Sequence, residues 1–121
     1  MATFQISEQS PTTAILSLSG LLDPTENQKI LDEVVRRLTS GATFWVIDLQ
    51  SMSYLSSTGL NFLISVLTRT RTLGGEVVIV GISEKIQQVL VLTRLMSMFV
   101  IRPDVSQALA FLQDSNKKII S

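Results

Sequence analysis

Three hydroxyl side chains stand together at Ser56, Ser57 and Thr58, and Gly59 and Leu60 follow them. Such a run can do two kinds of chemistry. A serine or threonine oxygen at a helix start accepts a hydrogen bond from one of the amides that has no partner within the helix. The same oxygen, if it faces solvent, can carry a phosphoryl group. One hydroxyl is enough for a cap, so the remaining two are left to solvent or to a function. On capping chemistry alone the two uses stand level.

The other reactive residue types narrow the choice. The chain has no histidine and no cysteine, which removes Ser-His-Asp and Cys-His catalysis, imidazole and thiolate metal sites, and disulfides. Neither a Gly-x-x-x-x-Gly-Lys loop nor a Gly-x-Gly-x-x-Gly turn occurs, and Gly74-Gly75 reads as a helix end. Asp23, Asp32 and Asp48 are the carboxylates with the chemistry to pair for acid–base work or hold magnesium. They read instead as a helix cap, a solvated helix face and a strand end. The expectation is a non-enzymatic protein with no catalytic residue, no metal and no cofactor.

The elements that position the hydroxyl run follow from periodicity. Phe4 and Ile6, then Ala14, Leu16 and Leu18, alternate with polar neighbours and predict a hairpin turning at Gln9-Ser10-Pro11-Thr12. Asp23-Pro24-Thr25-Glu26 has the acceptor, proline and glutamate of a helix start. Ile30, Leu31, Val34, Val35 and Leu38 give that helix its apolar face, with Gly41 as its terminal cap. The unbroken run Phe44-Trp45-Val46-Ile47 predicts a central strand ending at Asp48. A second helix starts in the hydroxyl cluster, with Leu60, Leu63, Ile64 and Leu67 as its stripe; Phe62 and Val66 widen it toward a neighbour or a partner. Arg69 and Arg71 lie near its negative end. Val77 to Val80 is a further strand, and Ser83 caps a short helix carrying Ile86, Val89 and Leu90. Met98 to Ile101 is a last strand, and Asp104 caps a helix bearing Val105, Ala108, Leu109 and Leu112, with Lys117 and Lys118 in a frayed tail. Met96, Met98 and Phe99 form a soft apolar cluster, suited first to that strand and its approach and second to a partner surface. Strand–helix alternation predicts an α/β fold: a mixed, mostly parallel sheet of about five strands, four helices mostly on one side, and an antiparallel hairpin at the start.

A chain of 121 residues, 45% hydrophobic and 17% charged, is one domain spanning residues 1–121. Ten Lys and Arg balance ten Asp and Glu. No broad basic field exists for nucleic acid or anionic lipid. The first residues lack a secretion signal, and the apolar stretch from Val89 to Ile101 is interrupted and shorter than the roughly 20 residues a membrane span needs. A cytoplasmic location is expected.

Ser56-Ser57-Thr58-Gly59-Leu60 resembles the Asp-Ser-Ser/Thr-Gly-Leu motif of the STAS domain, particularly of the bacterial anti-sigma factor antagonists. Leu18 to Asp23, Val46-Ile47-Asp48-Leu49, Leu73-Gly74-Gly75-Glu76-Val77 and Leu92-Thr93-Arg94-Leu95 resemble that family's other landmarks in order and spacing. Ser56 stands where the motif has Asp, and Arg94 where the later turn has Gly. The resemblance implies a STAS-like fold and a partner-switching role. Ser57 would be phosphorylated by an anti-sigma factor that is also a serine kinase of the GHKL type, ending the binding, and a PP2C-type phosphatase would reset it. Thr58 is the alternative acceptor. Asp23, Thr25, Ser56, Ser57, Thr58 and Gly59 would form the partner-binding surface, and a weak homodimer is among the assemblies left open. The rival expectation is a STAS module that senses a nucleotide or other small ligand beside Ser56, Ser57 and Thr58, or scaffolds a signalling complex, without phosphorylation.

Overall fold

In the computed structural model, residues 3–20 and 23–120 are described, with the side chains of 116–120 left aside. The element order is β1 (Thr3–Ser10), β2 (Thr13–Ser19), α1 (Pro24–Thr39), β3 (Phe44–Ser51), α2 (Ser57–Thr72), β4 (Glu76–Val80), α3 (Glu84–Leu92), β5 (Val100–Arg102) and α4 (Val105–Ile120). The strands lie side by side in chain order. β1 and β2 are antiparallel, and β2–β3, β3–β4 and β4–β5 are parallel.

Alternation along each strand divides the interior into two layers. Trp45, Ile47 and Leu49 of β3 point with Leu16, Val77 and Ile79 toward α1, α2 and α3, which contribute Ile30, Val34, Phe62, Val66, Ile86 and Leu90. Phe44 and Val46 point the other way with Val78 and Val80, onto Ala108 and Leu112 of α4. Three helices therefore cover one face and α4 the other. Trp45 is fully buried, and its indole N–H donates to the Ala42 carbonyl at 2.7 Å, satisfying its one polar atom.

The predicted elements are all present, with four differences of detail. β3 runs on past Asp48 to Ser51, because its lower half pairs with β2 as far as Ser51. The stripe of α2 is Phe62, Leu63, Val66 and Leu67, all buried, while Leu60 and Ile64 are only partly so. Phe62 and Val66 thus pack into the core. Met98 and Phe99 precede the last strand rather than belonging to it. The Met98 amide closes a turn onto Leu95, and its carbonyl accepts from the Arg71 guanidinium at 2.9 Å. Phe99 and Met96 pack into the helix-side core, leaving Met98 as the exposed member of that trio. Lys117 and Lys118 lie within the backbone span of α4 rather than in a tail beyond it.

Helices α1, α2 and α3 end in the same way. A residue in the left-handed region follows the cap, its amide bonds to the carbonyl three back, and the next amide reaches five back. Gly41 and Gly74 hold that position in α1 and α2. In α3 it is Arg94, at φ 62°, with bonds from Arg94 to Val91 at 3.1 Å and from Leu95 to Leu90 at 2.8 Å. A Cβ in that region costs about 1 kcal/mol, which glycine avoids at some entropic cost in the unfolded chain. Arg94→Gly is therefore expected to raise stability by about 0.5–1 kcal/mol. The effect would read as a higher urea midpoint at unchanged slope.

On the outer side of α1, Glu33 accepts hydrogen bonds from both Arg36 and Arg37. Those three bonds, with the guanidinium charges, lower its pKa from 4.5 to about 2. A depressed folded pKa stabilises above the unfolded value and stops doing so as pH falls through the folded one. Thermal melts of Glu33→Gln should therefore lie below those of the wild type above about pH 4.5 and converge on them near pH 2, a modest difference at this solvent-screened site.

Candidate functional site

Parallel pairing brings the carboxyl ends of β2, β3 and β4 to one end of the sheet. The helices that follow them begin there, capped by Asp23, Ser56 and Ser83. Asp23 is extended at φ −98° and ψ 168°, and its Oδ1 accepts from the Glu26 amide at 2.8 Å. Ser83 Oγ accepts from the Ile86 amide at 3.2 Å and donates to the Ser53 carbonyl at 3.1 Å. That second bond ties the start of α3 to the loop leading into α2.

The loop between β3 and α2 is anchored from within. Met52 and Leu55 are each 2% exposed, whereas Tyr54 between them stands out at 53%. Gly59 lies directly over Leu55: a Cβ there would come 2.7 Å from Leu55 Cδ1. The glycine of the motif lets the first turn settle onto the anchor.

The hydroxyl run divides its labour along this turn. Ser56 is the N-cap, with φ −79° and ψ 171°, and its Oγ accepts from the Gly59 amide at 3.2 Å. Ser57 is the first helical residue; it is exposed, and its hydroxyl has no hydrogen-bond partner among the described residues. Thr58 is partly buried and Gly59 buried. No acidic residue lies in this first turn, so the positive end of the helix dipole is not offset from within. Because Ser56 supplies the cap that the motif's Asp would supply, replacing Asp by Ser keeps the local geometry and removes one negative charge next to Ser57.

The remaining candidates separate. Asp23 and Thr25 are exposed at the start of α1, at the same end of the sheet as Ser57. Asp32 is on the outside of α1, accepting from Gln28 Nε2 at 2.7 Å, and half-buried Asp48 accepts from the Gln50 amide at 2.9 Å. The three aspartates thus serve separate local structures, and among the described residues no cluster of acidic side chains could hold a metal. No helix among the described residues is long and apolar enough to cross a membrane. Surface hollows of about 430, 310 and 300 Å³ lie on α3, beside Arg102 and between α1 and α2, lined by residues other than Ser56, Ser57 and Thr58. Sequence reasoning did not single out Tyr54 as an exposed side chain. Its sole signal is an aromatic residue between buried anchors in a loop.

A family model for the STAS domain matches residues 5–108. The chain belongs to the STAS domain family. The match takes in β2 to β5, the first three helices and the hydroxyl run of this STAS domain. Among solved structures, a protein of Thermotoga maritima is 22% identical with a TM-score of 0.83, covering 91% of this chain and 94% of that one. An anti-sigma factor antagonist from Mycobacterium paratuberculosis is 21% identical with a TM-score of 0.77, covering 93% and 95%. The antagonist SpoIIAA in its unphosphorylated form is 17% identical with a TM-score of 0.81, covering 93% and 97%. At these identities the likeness establishes the fold: five strands with an antiparallel first pair, and four helices.

Proposed function

We propose that this STAS domain is an anti-sigma factor antagonist in a partner-switching pathway. In its unphosphorylated form it binds an anti-sigma factor that is also a GHKL-type serine kinase, and that kinase phosphorylates Ser57 and so ends the complex. A PP2C-type phosphatase restores the free hydroxyl. The observation that carries this reading is the division of roles at the start of α2: Ser56 holds the cap, so Ser57 is exposed with an uncommitted oxygen. A neighbour of the same fold, the Bacillus cell fate determinant SpoIIAA, has also been solved in a phosphorylated form.

The docking surface in this reading is the end of the sheet where α1 and α2 begin: Asp23, Thr25, Ser56, Ser57 and Thr58, with Gly59 buried beneath the turn rather than on the surface. Exposed Tyr54 flanks it. A domain of this kind does no catalysis of its own and works in the cytoplasm. Incubation with a cognate kinase and ATP, followed by intact mass and peptide mapping, should add one phosphate and place it on Ser57. A phosphate mapped to Thr58, or none at all with an active kinase, would overturn the assignment.

A further inference from the structure

β1 is an outer strand of the sheet, paired on one side only, with β2. Edge strands in stable monomers are usually blunted by lysine, proline, a bulge or a covering element. Residues Thr3 to Ser7 have no lysine, proline or bulge, and nothing among the described residues covers them. They carry no charge and no proline, and the irregularity in the β1–β2 register comes later, between Glu8 and Ser10. Every residue of β1 except Ile6 is exposed, and Phe4 is 43% exposed on the same side as Ile6.

We propose that this edge pairs antiparallel with β1 of a second copy of the chain, about a two-fold axis through Gln5, joining two five-stranded sheets into one. In that register Phe4 lies opposite Ile6 of the second copy and Ile6 opposite its Phe4, so the exposed ring gains an apolar neighbour on both sides of the axis. Thr3 and Ser7 face each other on the opposite side, and Gln5 meets its own copy. Moving the axis to Ile6 would set Phe4 against Glu8, whose carboxylate is held by Arg37 at 3.1 Å. Moving it to Phe4 would shorten the overlap to residues 3–5. No like charges meet in the chosen register, and a chain with ten charges of each sign has no net repulsion to overcome. The contact is one strand wide, and interfaces this small are transient.

The chain has no cysteine, so an introduced thiol reports position without interference. Directly opposed residues in an antiparallel pair have Cα atoms about 4.5–5.5 Å apart, within disulfide reach. Gln5→Cys should therefore form a covalent dimer in a mild thiol–disulfide buffer at least about tenfold faster than Ser7→Cys, whose copies lie roughly 13 Å apart along the strands. In sedimentation experiments Gln5→Lys should weaken self-association about fivefold or more, and mixing Gln5→Lys with Gln5→Glu should restore it. Equal cross-linking of the two cysteine variants, or association unchanged in folded Gln5→Lys, overturns the proposal. So does a wild-type chain that stays monomeric at millimolar concentration.

Discussion

Ser57→Asp will bind a cognate anti-sigma kinase at least about tenfold more weakly than Ser57→Ala, and the fully phosphorylated chain about 100- to 1,000-fold more weakly than the unmodified one. The charge explains both the direction and the size. A phosphoserine brings about −1.5 to −2 charges at neutral pH, and aspartate brings one. Ser57 is the first residue of α2, exposed, with no acidic side chain elsewhere in that turn. A negative charge there meets the positive end of the helix and stabilises the fold by about 0.3–1 kcal/mol. All of the loss must arise at the interface, where a hydrated anion has to be stripped of water or excluded. A penalty of about 3–4 kcal/mol accounts for the larger factor. Thermal melts of Ser57→Asp should thus match or slightly exceed those of Ser57→Ala, which separates a blocked interface from a damaged domain.

Gly75→Ala will lower stability by about 3–4 kcal/mol, a large share of the 5–15 kcal/mol available to a domain of this size. A Cβ on Gly75 would lie 1.7 Å from the Thr43 carbonyl oxygen. That oxygen is backbone, at the entry to β3, and it accepts the hydrogen bond from the Glu76 amide at 3.1 Å that begins the β3–β4 pairing. Relief requires the two central strands to separate at their first rung. The neighbouring Gly74→Ala makes the control: its φ is +81° but nothing lies within 4 Å of the added carbon. It should cost only about 1 kcal/mol, from the left-handed backbone. Urea unfolding of the two variants distinguishes close approach from conformational strain, which the adjacent glycines of the sequence do not.

The contrast between those glycines marks where sequence reading ends. Local signals gave the caps: Asp23, Ser83 and Asp104 each accept from the amide three residues on, because the interaction spans one turn and needs nothing distant. The run Phe44 to Ile47 read as a two-faced buried strand and is one, since burial on both sides removes alternation. What failed were features decided by other elements. In α2 the apolar residues span a little over half of the helix surface, wider than the face it buries, so the choice of Phe62 and Val66 over Leu60 and Ile64 as core depends on where α1 and the sheet lie. The apolar run Met98 to Ile101 has no internal mark for the start of β5, which is set by pairing of Val100 with Val78. At the candidate site the cluster of three hydroxyls was visible, but which one capped the helix was not. The structure assigns that to Ser56, and the exposure of Ser57 follows.

The most direct measurement titrates one cognate partner calorimetrically into the unmodified chain and into the chain carrying a single phosphate on Ser57, with melting curves of both. The expected result is binding reduced by two to three powers of ten alongside a melting temperature equal to or above that of the unmodified chain. Equal affinities for the two forms, or a phosphorylated chain that binds weakly because it has begun to unfold, would contradict the account.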